Sequence, residues 1–341
     1  MTMARIGCAG ILVKDTFCGP LKTLPAPGEL VAIEAFKTRV GGCAANVAID
    51  LRKQSQSVEL VGCIGQDAAG AYLVKELEAA QVNCDQLAYT AEHPTSETVI
   101  LLVAGQDRRY LHSFGANRAF KVSDIHRDWI AGLDLFYLGG LFAMPGIVAD
   151  ELIELLVFAR EKKVITFVDV VLPTDFKRAT ELERLIPHVD WFLPNDAEAA
   201  ALTGKADPLE AIQTFRSWGG HNIVVTLGAR GVVAVFGDEC WRGDAYSSQV
   251  IDPSGAGDAF ASGLITGIAK GWAFPQSLQY ASLLGASATW MIGTTDGVLT
   301  GAQAERTMAE EPVTIHKVSE EHLIRGNKEN EGTEFQERFW P

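Results

Sequence analysis

The chain has 341 residues, 48% of them hydrophobic and 21% charged, the composition of a globular protein with a substantial core. Its formal charge of −14 excludes general nucleic-acid binding, which calls for a basic surface, and points to small-molecule partners. Cys8, Cys18, Cys43, Cys63, Cys84 and Cys240 are scattered without CxxC pairing, so neither a zinc site nor a disulfide framework is suggested.

The opening MTMARIGCAGILVKD imitates a signal peptide, but its apolar run is short and lacks a small-residue cleavage site, so a first buried strand is expected. No stretch approaches the roughly 18 apolar residues of a membrane span, and a cytoplasmic protein without a membrane partner is expected. Residues 17–40, FCGPLKTLPAPGELVAIEAFKTRV, are strand-rich with no helix between strands, and so are residues 96–114, SETVILLVAGQDRRYLHSF. The two are expected to pair as a small sheet covering a site. In RVGGCAANVAIDLRK, residues 39–53, Gly41 and Gly42 precede a helix expected to begin near Ala44. Its small residues admit a ligand, and Asn46 offers both a donor and an acceptor, as a sugar hydroxyl requires. Taken alone, the stretch reads equally as a strand–helix turn capped by Asn46.

Further along, the apolar runs VELVGCIG, DLFYLGG, VITFVDV, DWFLP and NIVVTLG alternate with amphipathic helical stretches, the mark of a parallel sheet with helices on both faces. HRD at 126–128 mimics a protein-kinase catalytic loop, but Leu133 stands where that loop has its asparagine and no DFG exists, so a helix surface is expected. YSSQV at 246–250 reads as a strand and DPSGAGD at 252–258 as a turn, after which Phe260, Leu264, Ile265 and Ile268 recur at helical spacing. The glycines of that turn bare a helix N-terminus, whose unpaired N–H groups suit an anion, with Asp258 beside it. Beyond Val313 the chain is highly charged and sparsely apolar, and partial order at best is expected. A P-loop is excluded, since no GxxxxGK[ST] occurs, and the GxGxxG dinucleotide fingerprint is missing as well.

Together RVGGCAANVAIDLRK and DPSGAGDAF closely resemble the two signatures of the ribokinase-like (PfkB) carbohydrate kinase family. The resemblance runs over residues 5–300 and includes GQDAAG, GAN at 115–117, LPNDAEAAALTG at 193–204 and VTLGARG at 225–231. It implies an α/β fold, a Rossmann-like parallel-sheet sandwich with a small β-sheet lid from segments near 12–40 and 96–114. Residues 1–313 would form the kinase domain and 314–341 a charged tail. The implied activity is transfer of the ATP γ-phosphoryl group to a hydroxyl of a small sugar.

By the same resemblance, Gly255, Ala256 and Gly257 form an anion hole and Asp258 is the base. Asn195 and Glu198 match the NxxE motif that orders Mg2+ through water, and their spacing puts them on one helix face. Asn195, Thr226 and Gly228 line the nucleotide. Asp15, Gly41, Gly42 and Asn46 hold the sugar, with LPAPGE as a lid strand. K+ is implied at Asp252, its carboxylate joined by carbonyls of its own loop and of a segment like 288–297. A homodimer through the lid is expected by analogy. The chain departs from ribokinases at Gly139 and Gly140, where they carry a sugar-binding glutamate, and VLPTDF replaces the Asp-x-Asn-x-Arg run of fructokinases and 2-keto-3-deoxygluconate kinases. Asp169 reads either as part of a different substrate pocket or as a structural strand-end carboxylate. The alternatives are a nucleoside kinase, which needs a lid aromatic such as Phe17, Phe36 or Phe114, and a sugar-binding regulator without turnover.

Overall fold

A computed structural model describes residues 4–318 except 107, 175 and 248. The strands, in chain order, are β1 (Arg5–Gly10), β2 (Val13–Leu21), β3 (Phe36–Gly41), β4 (Ser57–Val61), β5 (Cys63–Gly65), β6 (Ala88–Thr90), β7 (Glu97–Val103) and β8 (Arg109–Ser113). They continue with β9 (Leu135–Leu141), β10 (Ile165–Val170), β11 (Trp191–Phe192), β12 (Asn222–Thr226), β13 (Val232–Phe236), β14 (Glu239–Gly243) and β15 (Ile315–Val318). The body is one sheet in the order β15-β14-β13-β12-β11-β10-β9-β1-β4. It is parallel from β4 to β12 and antiparallel through β13, β14 and β15.

Strand β9 is buried at every position, as a strand must be when helices cover both faces. Phe136 and Leu138 enter the core on one side of the sheet, Leu135 and Tyr137 the core on the other, following the two-residue period of a strand. A second sheet, β3-β2-β7-β8, is the lid. Along β2 the buried residues alternate, and Val13, Asp15 and Phe17 share the inward face. The chain leaves the body for the lid at Ile11 and Leu12. There Asn117 of the GAN stretch clamps Leu12, its Oδ1 accepting the Leu12 N–H at 3.1 Å and its Nδ2 donating to the Leu12 carbonyl at 3.0 Å.

Several local expectations need correction. The helix after Gly42 spans Cys43–Lys53, one residue earlier than expected, and Gly42, not Asn46, is its N-cap. YSSQV holds no strand at its described positions, because both edges of β14 are already taken by β13 and β15. LPAPGE is an exposed loop between β2 and β3, and its two prolines cannot donate to a ladder. The sheet does not end at 313: β15 pairs antiparallel with β14, and the remainder of the expected tail lies outside the described residues. HRD falls on an exposed helix start, as expected. Among the described residues no helix is long and apolar enough to cross a membrane.

Candidate active site

Helix Ala256–Ala269 begins without any side-chain cap. The loop before it is held from below by Asp252, which is 1% exposed. Its Oδ1 accepts the Ser254 N–H at 3.0 Å and the Ser254 hydroxyl at 2.7 Å, and its Oδ2 accepts the Gly293 N–H at 3.0 Å. Gly255 turns the chain with φ 78°, and a Cβ there would stand 1.9 Å from the Thr294 carbonyl oxygen. A Cβ on Gly257 would meet nothing within 4 Å. The helix start therefore opens onto space at Gly257, at the positive end of the helix dipole, where a phosphoryl group could sit.

Asp258 stands in that first turn. Asn46 Nδ2 donates to Asp258 Oδ2 at 2.7 Å, which joins the two sequence motifs in one contact. Burial pushes the Asp258 carboxyl above its ordinary value, while hydrogen bonds from Asn46 and the Cys43 thiol pull it back. Asn46 Oδ1 is buried with no hydrogen-bond partner, an acceptor left for a ligand hydroxyl.

Asp15 approaches from the lid and is 6% exposed. Gly41 explains how it fits, since a Cβ at 41 would lie 1.9 Å from Asp15 Oδ2. Burial pushes the Asp15 carboxyl up to about 7, a Thr98 hydrogen bond lowers it, and the charges of Asp258 and Asp252 raise it further. Asp169 reaches the same place from β10. Its Oδ1 accepts the Gly140 N–H at 2.6 Å and its Oδ2 accepts the Tyr137 hydroxyl. Burial first, then the Asp258 charge, hold it well above the usual carboxylate range. Ligand atoms of Cys43, Asp169 and Asp258 all lie within 4.8 Å of one another. Asp169 thus fills the neighbourhood of Gly140 with a carboxylate carried by the adjacent strand. Sequence reasoning missed Cys43 and Tyr137; the position of Cys43 between Gly42 and Asn46 was the one available signal.

Asn195 and Glu198 are tied to each other. Asn195 Oδ1 accepts the Glu198 N–H and Glu198 Oε2 accepts the Asn195 N–H, both at 2.8 Å, so their spacing is first of all a capping box for helix Asp196–Thr203. Each side chain keeps further acceptor capacity. Burial, with Asp258 and Asp196 adding to it, raises Glu198 to about 7 against hydrogen bonds from Asn195. Asn195 also bridges Thr226, bringing the carboxyl ends of β11 and β12 together, and open space surrounds Gly228 at φ 58°. Of the lid aromatics, Phe17 is 2% exposed, Phe36 is 64% exposed, and Phe114 packs edge-on to His112 with centroids 4.7 Å apart.

A model of the pfkB family of carbohydrate kinases matches residues 3–300. The ATP-dependent 6-phosphofructokinase of Thermoanaerobacterium thermosaccharolyticum is 24% identical over 264 residues, covering 74% of this chain and 79% of that protein. A nucleoside kinase of Methanothermobacter thermautotrophicus is 25% identical over 252 residues, covering 74% of this chain and 78% of that one. The ribokinase of Arabidopsis thaliana, solved with ribose and ATP, matches in structure with a TM-score of 0.77 at 21% identity, over 90% of this chain and 98% of that one.

Proposed function

This chain belongs to the pfkB family of carbohydrate kinases, and we propose that it transfers the γ-phosphoryl group of ATP to a hydroxyl of a small, uncharged sugar or sugar derivative. The observation that carries this reading is the Asn46–Asp258 hydrogen bond at the foot of an uncapped helix N-terminus. In the proposed step the sugar hydroxyl loses its proton to Asp258 as its oxygen bonds to the γ-phosphorus. The bond from that phosphorus to the bridging oxygen breaks, and ADP leaves with the electron pair. The N–H groups from Gly255 to Gly257 stabilise the equatorial oxygens without reorganising, the largest contribution a protein makes to phosphoryl transfer. Asn195 and Glu198 would hold Mg2+ through water, which when bound neutralises phosphate charge. Thr226 and Gly228 line the nucleotide, and Asp15, Asn46 and Asp169 hold the sugar, with Gly41 and Gly42 making room. A homodimer through the lid belongs to the same reading, with Tyr110 and Leu111 of β8 exposed on that sheet.

The charge of the pocket narrows the acceptor. The charges that raise Asp15 and Asp169 are those of other carboxylates, Asp258, Asp252 and Glu198. A like charge about 4 Å away at an effective dielectric constant near 20 costs about 4 kcal/mol, roughly a thousandfold in affinity. Sugar phosphates and sugar acids are therefore disfavoured relative to neutral polyols. A nucleoside acceptor would have to stack on Phe36, the exposed one of the three lid aromatics, because Phe17 is buried and the Phe114 ring is engaged by His112. Ribose is expected to be poor, because Gly140 supplies a backbone N–H to Asp169 in place of a side-chain carboxylate.

The test is ADP release by the purified chain with ATP, Mg2+ and a panel of pentoses, hexoses, sugar acids, sugar phosphates and nucleosides. A neutral sugar other than ribose should give the highest kcat/KM. Fructose 6-phosphate, 2-keto-3-deoxygluconate or ribose outrunning every other sugar would overturn the assignment.

A further inference from the structure

Three carbonyl oxygens, those of Ile292, Thr295 and Val298, receive the chain's own lysines. Lys37 of β3 donates its Nζ to the Ile292 carbonyl and stands 3.3 Å from Asp296 Oδ1. Arg39 of the same strand bridges both Asp296 oxygens through Nε, at 3.0 and 2.9 Å. Lys53, at the end of helix Cys43–Lys53, donates to the Thr295 carbonyl and reaches the Val298 carbonyl at 3.4 Å. Arg108, in the turn between β7 and β8, brings NH1 to 3.9 Å from Asp252 Oδ1. The family resemblance implied K+ held here by the Asp252 carboxylate and carbonyls of segment 288–297. The donor set does not suit that ion. Both Asp252 oxygens already accept hydrogen bonds, two of the carbonyls hold ammonium groups, and the local negative charge is matched by tethered cations.

We propose that this chain supplies its own cation to the phosphoryl loop, with Arg108 doing for Asp252 what a monovalent ion would do, so that its activity is independent of K+. The reasoning rests on the kinase reading above. Removing one partner of a buried charge pair is costly, because the other is left uncompensated. Asp252 in turn fixes Ser254 and, through the tight turn at Gly255, the direction of the helix N–H groups. Arg108 is thus a positioning residue that acts through Asp252. Three of the four cations, Lys37, Arg39 and Arg108, come from the lid, while Asp252, Ile292 and Asp296 belong to the body. The lid in place and the phosphoryl loop in order are consequently one arrangement.

Two measurements at equal ionic strength, in KCl and in tetramethylammonium chloride, test the proposal. Without substrate, the wild-type chain should melt at the same temperature in both salts, and with the best acceptor from the panel its kcat should agree within about twofold. Arg108→Ala should lower kcat by roughly tenfold with the sugar KM little changed. KCl should raise both its kcat and its melting temperature, while Arg108→Lys should behave like wild type. A wild-type chain whose melting temperature rises in KCl, or whose kcat is activated tenfold by it, overturns the proposal. So does an Arg108→Ala chain indistinguishable from wild type in both readouts. The wild-type comparison stands alone if that variant does not fold, and the melting arm stands if no panel sugar is turned over.

Discussion

Two influences on Asp258 oppose each other: burial favours its neutral form, and the Asn46 and Cys43 hydrogen bonds favour its charge. A base raised above the ordinary carboxylate range takes a hydroxyl proton more readily, provided it is ionised at the working pH. The sign is fixed by that requirement: kcat/KM should rise with pH through the Asp258 ionisation and fall away below it. Asp258→Asn keeps the size and part of the hydrogen bonding while removing the acceptor, and a general base contributes about 10²–10⁴-fold. Single-turnover phosphorylation should slow by that factor with ATP and sugar affinities within several-fold of wild type; a near-wild-type rate would reduce Asp258 to a helix-end carboxylate. At this scale the sequence made Asp258 and Asn46 candidates because each stands inside a dense local motif, whereas Asp15 was suggested by the family resemblance alone. The sequence hid Tyr137, which meets Asp169 only because β9 and β10 are neighbours in register, and it showed Asn195 and Glu198 as one helix face where they first form a capping box.

The glycines on either side of Ala256 illustrate what an element can and cannot absorb. Gly255 has φ 78° and faces the Thr294 carbonyl at 1.9 Å from an ideal Cβ, whereas Gly257 faces nothing within 4 Å. Gly255→Ala should therefore cost at least about 1–3 kcal/mol of stability from backbone strain alone, with the carbonyl clash added. Gly257→Ala should fold as well as wild type or better, since alanine favours a helix over glycine by up to about 1 kcal/mol. Its methyl would nonetheless stand in the phosphoryl seat and lower kcat about tenfold or more. Thermal melting and turnover of the two variants separate the roles, and equal loss of stability in both would show that Gly257 is structural. The sheet and its covering helices were readable from apolar runs and helical periodicity. YSSQV was not, because its alternation says nothing about whether an edge is free, and the bounds of LPAPGE were set by prolines rather than by hydrophobicity.

Across the molecule, a formal charge of −14 coexists with carboxylates pressed into the interior, and the two together decide how stability responds to pH. Asp15 and Glu198 ionise near 3.8 and 4.5 when unperturbed but only near about 7 in the fold. Asp50, whose oxygens are buried without hydrogen bonds, is held up by burial and by Asp258, with Lys53 opposing. A carboxylate with a raised folded value binds its proton more tightly in the native chain than in the unfolded one, so its contribution to stability is full below about pH 4 and is lost as pH rises through about 7. For Asp15 the difference amounts to on the order of 4 kcal/mol. Self-repulsion of the net negative charge acts in the same direction. The melting temperature should accordingly be higher at mildly acid pH than at pH about 8, and Asp15→Asn should flatten that decline. Asp15→Asn should be the more stable protein at the alkaline end while its sugar KM rises, because in the proposed function the carboxylate that strains the fold is also the one that holds the sugar. Melting curves of both proteins across that range decide it: parallel pH profiles would mean that Asp15 is ionised throughout and that the acidity of the pocket is set elsewhere.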